Sequence, residues 1–259
     1  MATEPAVDGL FATLRLADIH DALVRNIVSL RVSEDLFDDL SSHPADWKLA
    51  QAVEDSAKPP PFRSPQPVID RPFEDAEWFN AVGFPFFHWS QSRYSDGSFG
   101  VWYGADGVQT SAWESAYHWY CGFLADAGFQ HEGVVGERKL YLVRCDAALL
   151  DMRALCRKFP ALLHPSDYAL THAVGKRLAR EGHPGLLTRS ARYPDGQCYA
   201  IFNSTVLSQP RQHGALTYRL QSDCIRVESR PGSKLFEIPL STLAGATGDR
   251  RLAASAQAR

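Results

Sequence analysis

Five of the six tryptophans fall between Glu77 and Trp119, interleaved with Phe79, Phe84, Phe86, Phe87 and Phe99. Aromatic side chains bury large areas and must pack against one another, so this segment dictates a core, or a core with a pocket in it. Trp102, Trp113 and Trp119 fit either as pocket walls or as packing. Within the segment, Phe99 to Gly104 reads as a short strand. Thr110 to Ala127 reads as a helix whose apolar stripe is Ala112, Trp113, Ala116, Tyr117, Tyr120, Cys121 and Leu124, with Gly128 positioned to end it.

Upstream, six of the eighteen residues from Asp55 to Pro72 are proline, which argues against helix or central strand and marks a boundary. Before it, residues 9 to 41 carry helical periodicity through Leu10, Leu14, Ile19, Leu23 and Ile27, with Ser33 as a cap ahead of Leu36 and Phe37. Downstream, a strand is expected at Lys139 to Arg144 and a helix around Ala147 to Lys158. A second helix is expected over Ser166 to Arg180, capped by Ser166 and followed by Gly182. Strands at Gly185 to Ser190 and Cys198 to Asn203 flank the turn Pro194-Asp195-Gly196, and Leu216 to Ile238 reads as further β structure. The expected organisation is a helical extension and proline-rich linker over 1–72, a main folded domain over 73–245 and a disordered tail over 246–259.

The 259 residues suffice for a sizeable core, and a formal charge of −3 provides no global field for nucleic acid. Five scattered cysteines without a Cys-x-x-Cys pair disfavour a disulfide framework and a structural zinc site. His118, His131 and Glu132 lack standard metal-ligand spacing, so no metal is expected. The acidic start and the lack of a long apolar run imply a cytoplasmic protein with no membrane segment.

Chemistry concentrates in Arg93-Tyr94-Ser95, Tyr103 at a strand end, Glu114 in the first turn of a helix with His118 four residues on, and Gly185 to Arg192 with Ser190. Arg93 offers a permanently charged fork for a pyrophosphate, and Tyr103 an aromatic face for a cationic ring. A carboxylate such as Glu114 stabilises positive charge developing on a ribose during glycosidic cleavage. Ser190 can donate to phosphate or ribose, with Arg192 close by. The bland alternative makes Ser111 and Glu114 a capping box and Ser190 a turn residue.

These motifs resemble the RES family. Arg93-Tyr94-Ser95 is followed by Tyr103 ten residues after the arginine, Glu114 eleven further on precedes His118, and Gly185, Ser190 and Arg192 precede Ala200-Ile201-Phe202. The resemblance covers Trp78 to Leu207. It implies an α+β fold with a mixed sheet and flanking helices, similar to ADP-ribosyltransferases. It also implies an NAD-degrading toxin with Glu114, Arg93 and Tyr103 as catalytic residues and Arg93, Tyr103, Ser190 and Arg192 on the NAD. NAD would be the substrate and phosphate the acceptor, with no dissociable cofactor. The implied partner is an Xre-type helix-turn-helix antitoxin, self-association or a hetero-oligomer with it being compatible, and DNA would be reached only through that partner. The alternatives are a protein ADP-ribosyltransferase and a catalytically silent nucleotide- or protein-binding module. One further basic residue near the start of such domains would be Arg15, Arg25 or Arg31.

Overall fold

The computed structural model describes residues 4–29 and 76–245, together with 49 and 52. The expected proline-rich linker, the Ser33 cap and the tail over 246–259 lie outside the described residues. Two compact units divide the rest: one of 4–25, 76–114 and 141–212, the other of 26–29, 49, 52, 115–140 and 213–245.

The first unit carries the candidate site. Helix α1 spans Glu4–Phe11 and strand β1 Arg15–Val28. The hairpin β2 (Gln91–Ser92) and β3 (Ser95–Asp96) precedes β4 (Trp102–Ala105), and helix α2 (Val108–Tyr117) follows. Strand β5 (Val135–Asp151) leads through the short helix α3 (Leu155–Lys158) and helix α4 (Ala169–Glu181) into β6 (Gly185–Arg189) and β7 (Gln197–Ile201). The strand order is β1-β4-β7-β6-β5, and β1 also pairs with β5. β6 lies parallel to β5, Leu150 facing Leu186, and antiparallel to β7, so the sheet is mixed. A parallel pair needs a long crossover, and the stretch holding α3 and α4 supplies it.

Leu10, Tyr94, Val101, Leu150, Met152, Leu155, Leu162, Val174, Leu178 and Leu186 form the core of this unit. Gly175 sets how closely α4 approaches the Arg93–Tyr94 segment: a Cβ there would lie inside van der Waals contact with the Tyr94 carbonyl.

The second unit contains the meander of β8 (Leu207–Leu220), β9 (Cys224–Arg230) and β10 (Ser233–Pro239), with Tyr218 facing Val227. Its polar interior chain runs from Arg138 Nε to Asn26 Oδ1 at 2.9 Å, from Asn26 Nδ2 to the Tyr218 hydroxyl at 3.0 Å, and on to Ser115 Oγ at 2.7 Å. Burial lowers the Arg138 pKa by desolvating the cation, whose side-chain partner here is the neutral amide of Asn26. β1, β5 and β8 contribute residues to both units.

The fold is α+β with a mixed sheet and flanking helices, as expected, but several elements depart from the sequence reading. The helical periodicity holds for α1, whereas 15–28 is strand. β-branched Ile19, Val24, Ile27 and Val28 suit a pleated surface, and pairing with β4, Val24 opposite Ala105, overrides the spacing. The expected helix from Ala147 is strand until Asp151, because Leu150 and Asp151 join the parallel ladder with β6. Ser166 does not cap α4: the helix starts at Ala169, and Asp167 Oδ1 accepts from the Ala169 amide at 2.9 Å. The Thr110 to Ala127 helix is present, beginning at Val108, with His118–Leu124 in π-helical turns and Gly128 left-handed at its end.

Candidate active site

Glu114 projects from the second turn of α2, not the first, because the helix begins at Val108. No capping box forms, since Ser111 Oγ donates to the Val108 carbonyl. Instead the Glu114 carboxylate reaches the turn after β6. Ser190 Oγ donates to its Oε1 at 2.5 Å and the Ala191 amide donates to the same oxygen at 2.9 Å. The Cys198 thiol, on β7, approaches that oxygen at 3.7 Å. Among the described residues these hydrogen bonds all go to Oε1.

Ser190 is buried, and its oxygen is held from behind by the amides of Arg192 at 3.1 Å and Tyr193 at 2.9 Å. It is therefore both a turn residue and the donor to the carboxylate. Burial, and next the negative charge of Glu114, push the Cys198 thiol well above its ordinary pKa, so it stays protonated and donates.

Tyr103 faces Ala200 across the β4–β7 ladder. Its hydroxyl meets Ser92 Oγ at 2.9 Å and accepts from the Tyr94 amide at 2.9 Å, tying the β2–β3 hairpin to β4. Burial pushes its pKa up to about 12, so the phenol is neutral at physiological pH. Arg25 supports it from behind, Nη1 donating to the Tyr103 carbonyl at 2.9 Å and the guanidinium lying 5.5 Å from the Trp102 ring centre. Of the three arginines considered as an additional basic residue, Arg25 is the one in contact with a site residue, Arg15 is exposed and Arg31 lies outside the described residues.

Arg93 Nη1 donates to the carbonyls of His164 at 2.9 Å and Leu162 at 3.3 Å, and its guanidinium stacks on Tyr168 at 4.8 Å. Arg192 is buried and its Nη2 donates to the Pro165 carbonyl at 2.6 Å. Both arginines thus grip one loop, residues 162–168, which the sequence reading had not attached to the site. No local pattern announces that loop, because its contacts span about seventy residues of chain.

Trp102 is wholly buried, its Nε1 donating to the Ala81 carbonyl at 2.7 Å, and Trp119 is buried as well. Trp113 is half-buried and lies 5.7 Å from the Tyr193 ring. His118 is exposed and packs edge-on against Tyr117. A cavity of about 400 Å³ lies elsewhere in the unit, lined by Phe86, Trp89, Phe99, Phe202, His183 and Asn203.

Fold and site define an α+β protein with a mixed sheet, a carboxylate–serine pair at the turn after β6, and an arginine and a tyrosine tied to each other's segment through the β2–β3 hairpin, in the chain order Arg, Tyr, Glu, Ser. The family model described as the RES domain matches residues 69–223, and the chain belongs to that family. No curated protein matches it in sequence. Among solved structures, it is similar to a chain from the M. tuberculosis MbcT–MbcA toxin–antitoxin complex, at 14% identity over 82% of this chain and 93% of that one. The TM-score of 0.42 is too low to transfer any property between them. No helix among the described residues is long and apolar enough to cross a membrane.

Proposed function

We propose that the chain is a toxin that degrades NAD by cleaving the bond between nicotinamide and ribose, with inorganic phosphate as acceptor. The observation that carries this reading is the Glu114 carboxylate, whose Oε1 is fixed by Ser190 Oγ and the Ala191 amide. A fixed carboxylate stabilises the positive charge that grows on the ribose as nicotinamide departs. The phosphate oxygen then bonds to the anomeric carbon from which nicotinamide has left, giving free nicotinamide and ADP-ribose phosphate. Arg93 supplies a cation for the pyrophosphate and Tyr103 a neutral aromatic face for the nicotinamide end. Ser190 acts through Glu114, and Arg192 steadies the loop that lies against Arg93.

Such an activity needs restraint in the cell. A cognate antitoxin of the Xre type, which would also supply contact with DNA, fits the family membership.

The test is incubation of the purified protein and its Glu114→Ala variant with NAD, with and without phosphate, resolving products by chromatography and mass. Nicotinamide release that depends on Glu114, with a product heavier by phosphate only when phosphate is present, is the expected result. Free ADP-ribose in both conditions makes water the acceptor, and label from NAD on a macromolecule makes the chain a protein ADP-ribosyltransferase. Intact NAD after any co-purifying partner has been stripped off overturns the reading.

A further inference from the structure

Arg93 is a cation whose partners among the described residues are neutral: two backbone carbonyls and an aromatic ring. Both hydrogen bonds use Nη1. The guanidinium therefore still has its Nε–Nη2 edge, the pair of parallel donors that matches two phosphate oxygens. A flexible arginine would have to be immobilised each time an anion bound, whereas one already fixed avoids that cost.

The aromatic part of this fixing comes from the start of α4. Tyr168 lies under the guanidinium, and one turn later His172 Nε2 meets the Ser92 carbonyl at 2.8 Å. A carbonyl can only accept, so His172 carries its proton on Nε2 and donates it. The two rings pack edge to face at 6.0 Å. The side chain of Arg93 and the backbone immediately before it are thus held by two residues of one helix end. Gly175 lets that helix come close enough, and the loop itself is kept in shape by His164 Nδ1, which accepts from the amides of Asp167 at 2.8 Å and Ser166 at 3.3 Å. Arg192 pins the same loop from the Ser190 side through the Pro165 carbonyl.

We propose that Tyr168, with His172 behind it, is a positioning residue for Arg93 that presents the guanidinium edge to a diphosphate. This rests on the NAD reading and extends it: the helix that crosses between two parallel strands also sets how tightly the anionic part of the substrate is held. Tyr168 touches Arg93 and acts through it.

The experiment is a double-substitution cycle on the full-length protein, with Tyr168→Leu, Tyr168→Phe, Arg93→Lys and the Tyr168→Leu/Arg93→Lys pair. KM and kcat for NAD are read alongside calorimetric binding of inorganic pyrophosphate. Tyr168→Leu is expected to raise KM and the pyrophosphate Kd about fivefold, as loss of a cation–π contact implies, with kcat nearly unchanged. Tyr168→Phe keeps the ring and should stay near wild type. In the Arg93→Lys background Tyr168→Leu should add little. An equal effect in both backgrounds, or a fall in kcat with KM unchanged, overturns the positioning role. A wild type that binds neither NAD nor pyrophosphate sinks the NAD reading and this inference together, whereas a wild type that binds both with Tyr168→Leu unaltered removes only the inference.

Discussion

Two charged side chains of the candidate site, Glu114 and Arg93, are held in opposite ways. Glu114 is given hydrogen-bond donors: a buried serine, an amide and a protonated thiol converge on one oxygen. Arg93 is given carbonyls and a ring, none of them charged. Bonds to an ionised group are stronger than neutral ones, but a neutral carbonyl competes poorly with a phosphate for a guanidinium. The anion is thus a settled part of the protein, and the cation is fixed in place while its attraction for an anion remains unspent. That difference suits a substrate that brings its own negative charge and develops positive charge as it reacts.

Four substitutions break or sharpen the contrast. Glu114→Gln keeps the shape but removes the charge, and NAD consumption should fall about 10²- to 10³-fold with binding retained. Activity close to wild type would mean that the carboxylate is structural. Ser190→Ala leaves the Ala191 amide in place and should lower kcat about tenfold, consistent with losing one bond to a charged group. An unchanged kcat would show that the amide alone suffices. Arg93→Lys keeps the positive charge but loses the fork, so KM for NAD should rise several-fold with kcat little altered. Wild-type affinity would remove Arg93 from the pyrophosphate.

The smallest effect concerns Tyr103. Its folded pKa, raised to about 12 from 10, lies above the unfolded value. Its contribution to stability is therefore complete below pH 10 and is lost as pH rises towards 12. Melting temperatures of the wild type should drop beyond pH 10, and Tyr103→Phe should soften that drop. An identical alkaline profile in the two proteins would assign the loss to other groups.

The candidate site was legible in the sequence to the extent that its residues sit in short motifs. Arg93, Tyr103 and Glu114 occupy one continuous stretch, and Ser190 directly follows a recognisable strand. The meeting of Glu114 with Ser190 was foreseeable only as a shared cleft, since the hydrogen bond joins positions 76 residues apart. Tyr168 and His172 were invisible for the same reason: on the expected helix they are ordinary aromatic neighbours, and their contact with Arg93 and Ser92 is made by the crossover. Cys198 is one of five scattered cysteines, and nothing local distinguishes it from the others. Among the elements, β1 was misread because helical spacing of Leu10, Leu14, Ile19 and Leu23 is a weaker constraint than a waiting strand edge on β4. The helix expected at Ala147 failed likewise, because Leu150 and Asp151 join the β6 ladder and the strand runs on to them.

The same strand has a practical consequence. The family match begins at residue 69, yet β1 comes from Arg15–Val28 and is bonded to both β4 and β5. A fragment trimmed to the family boundaries would strip a covering strand from the backbone that carries Tyr103 and leave unpaired amides and carbonyls along it. Exposed edges of that kind recruit other chains, so such a fragment should aggregate, and inactivity measured on it would report lost solubility instead of lost chemistry.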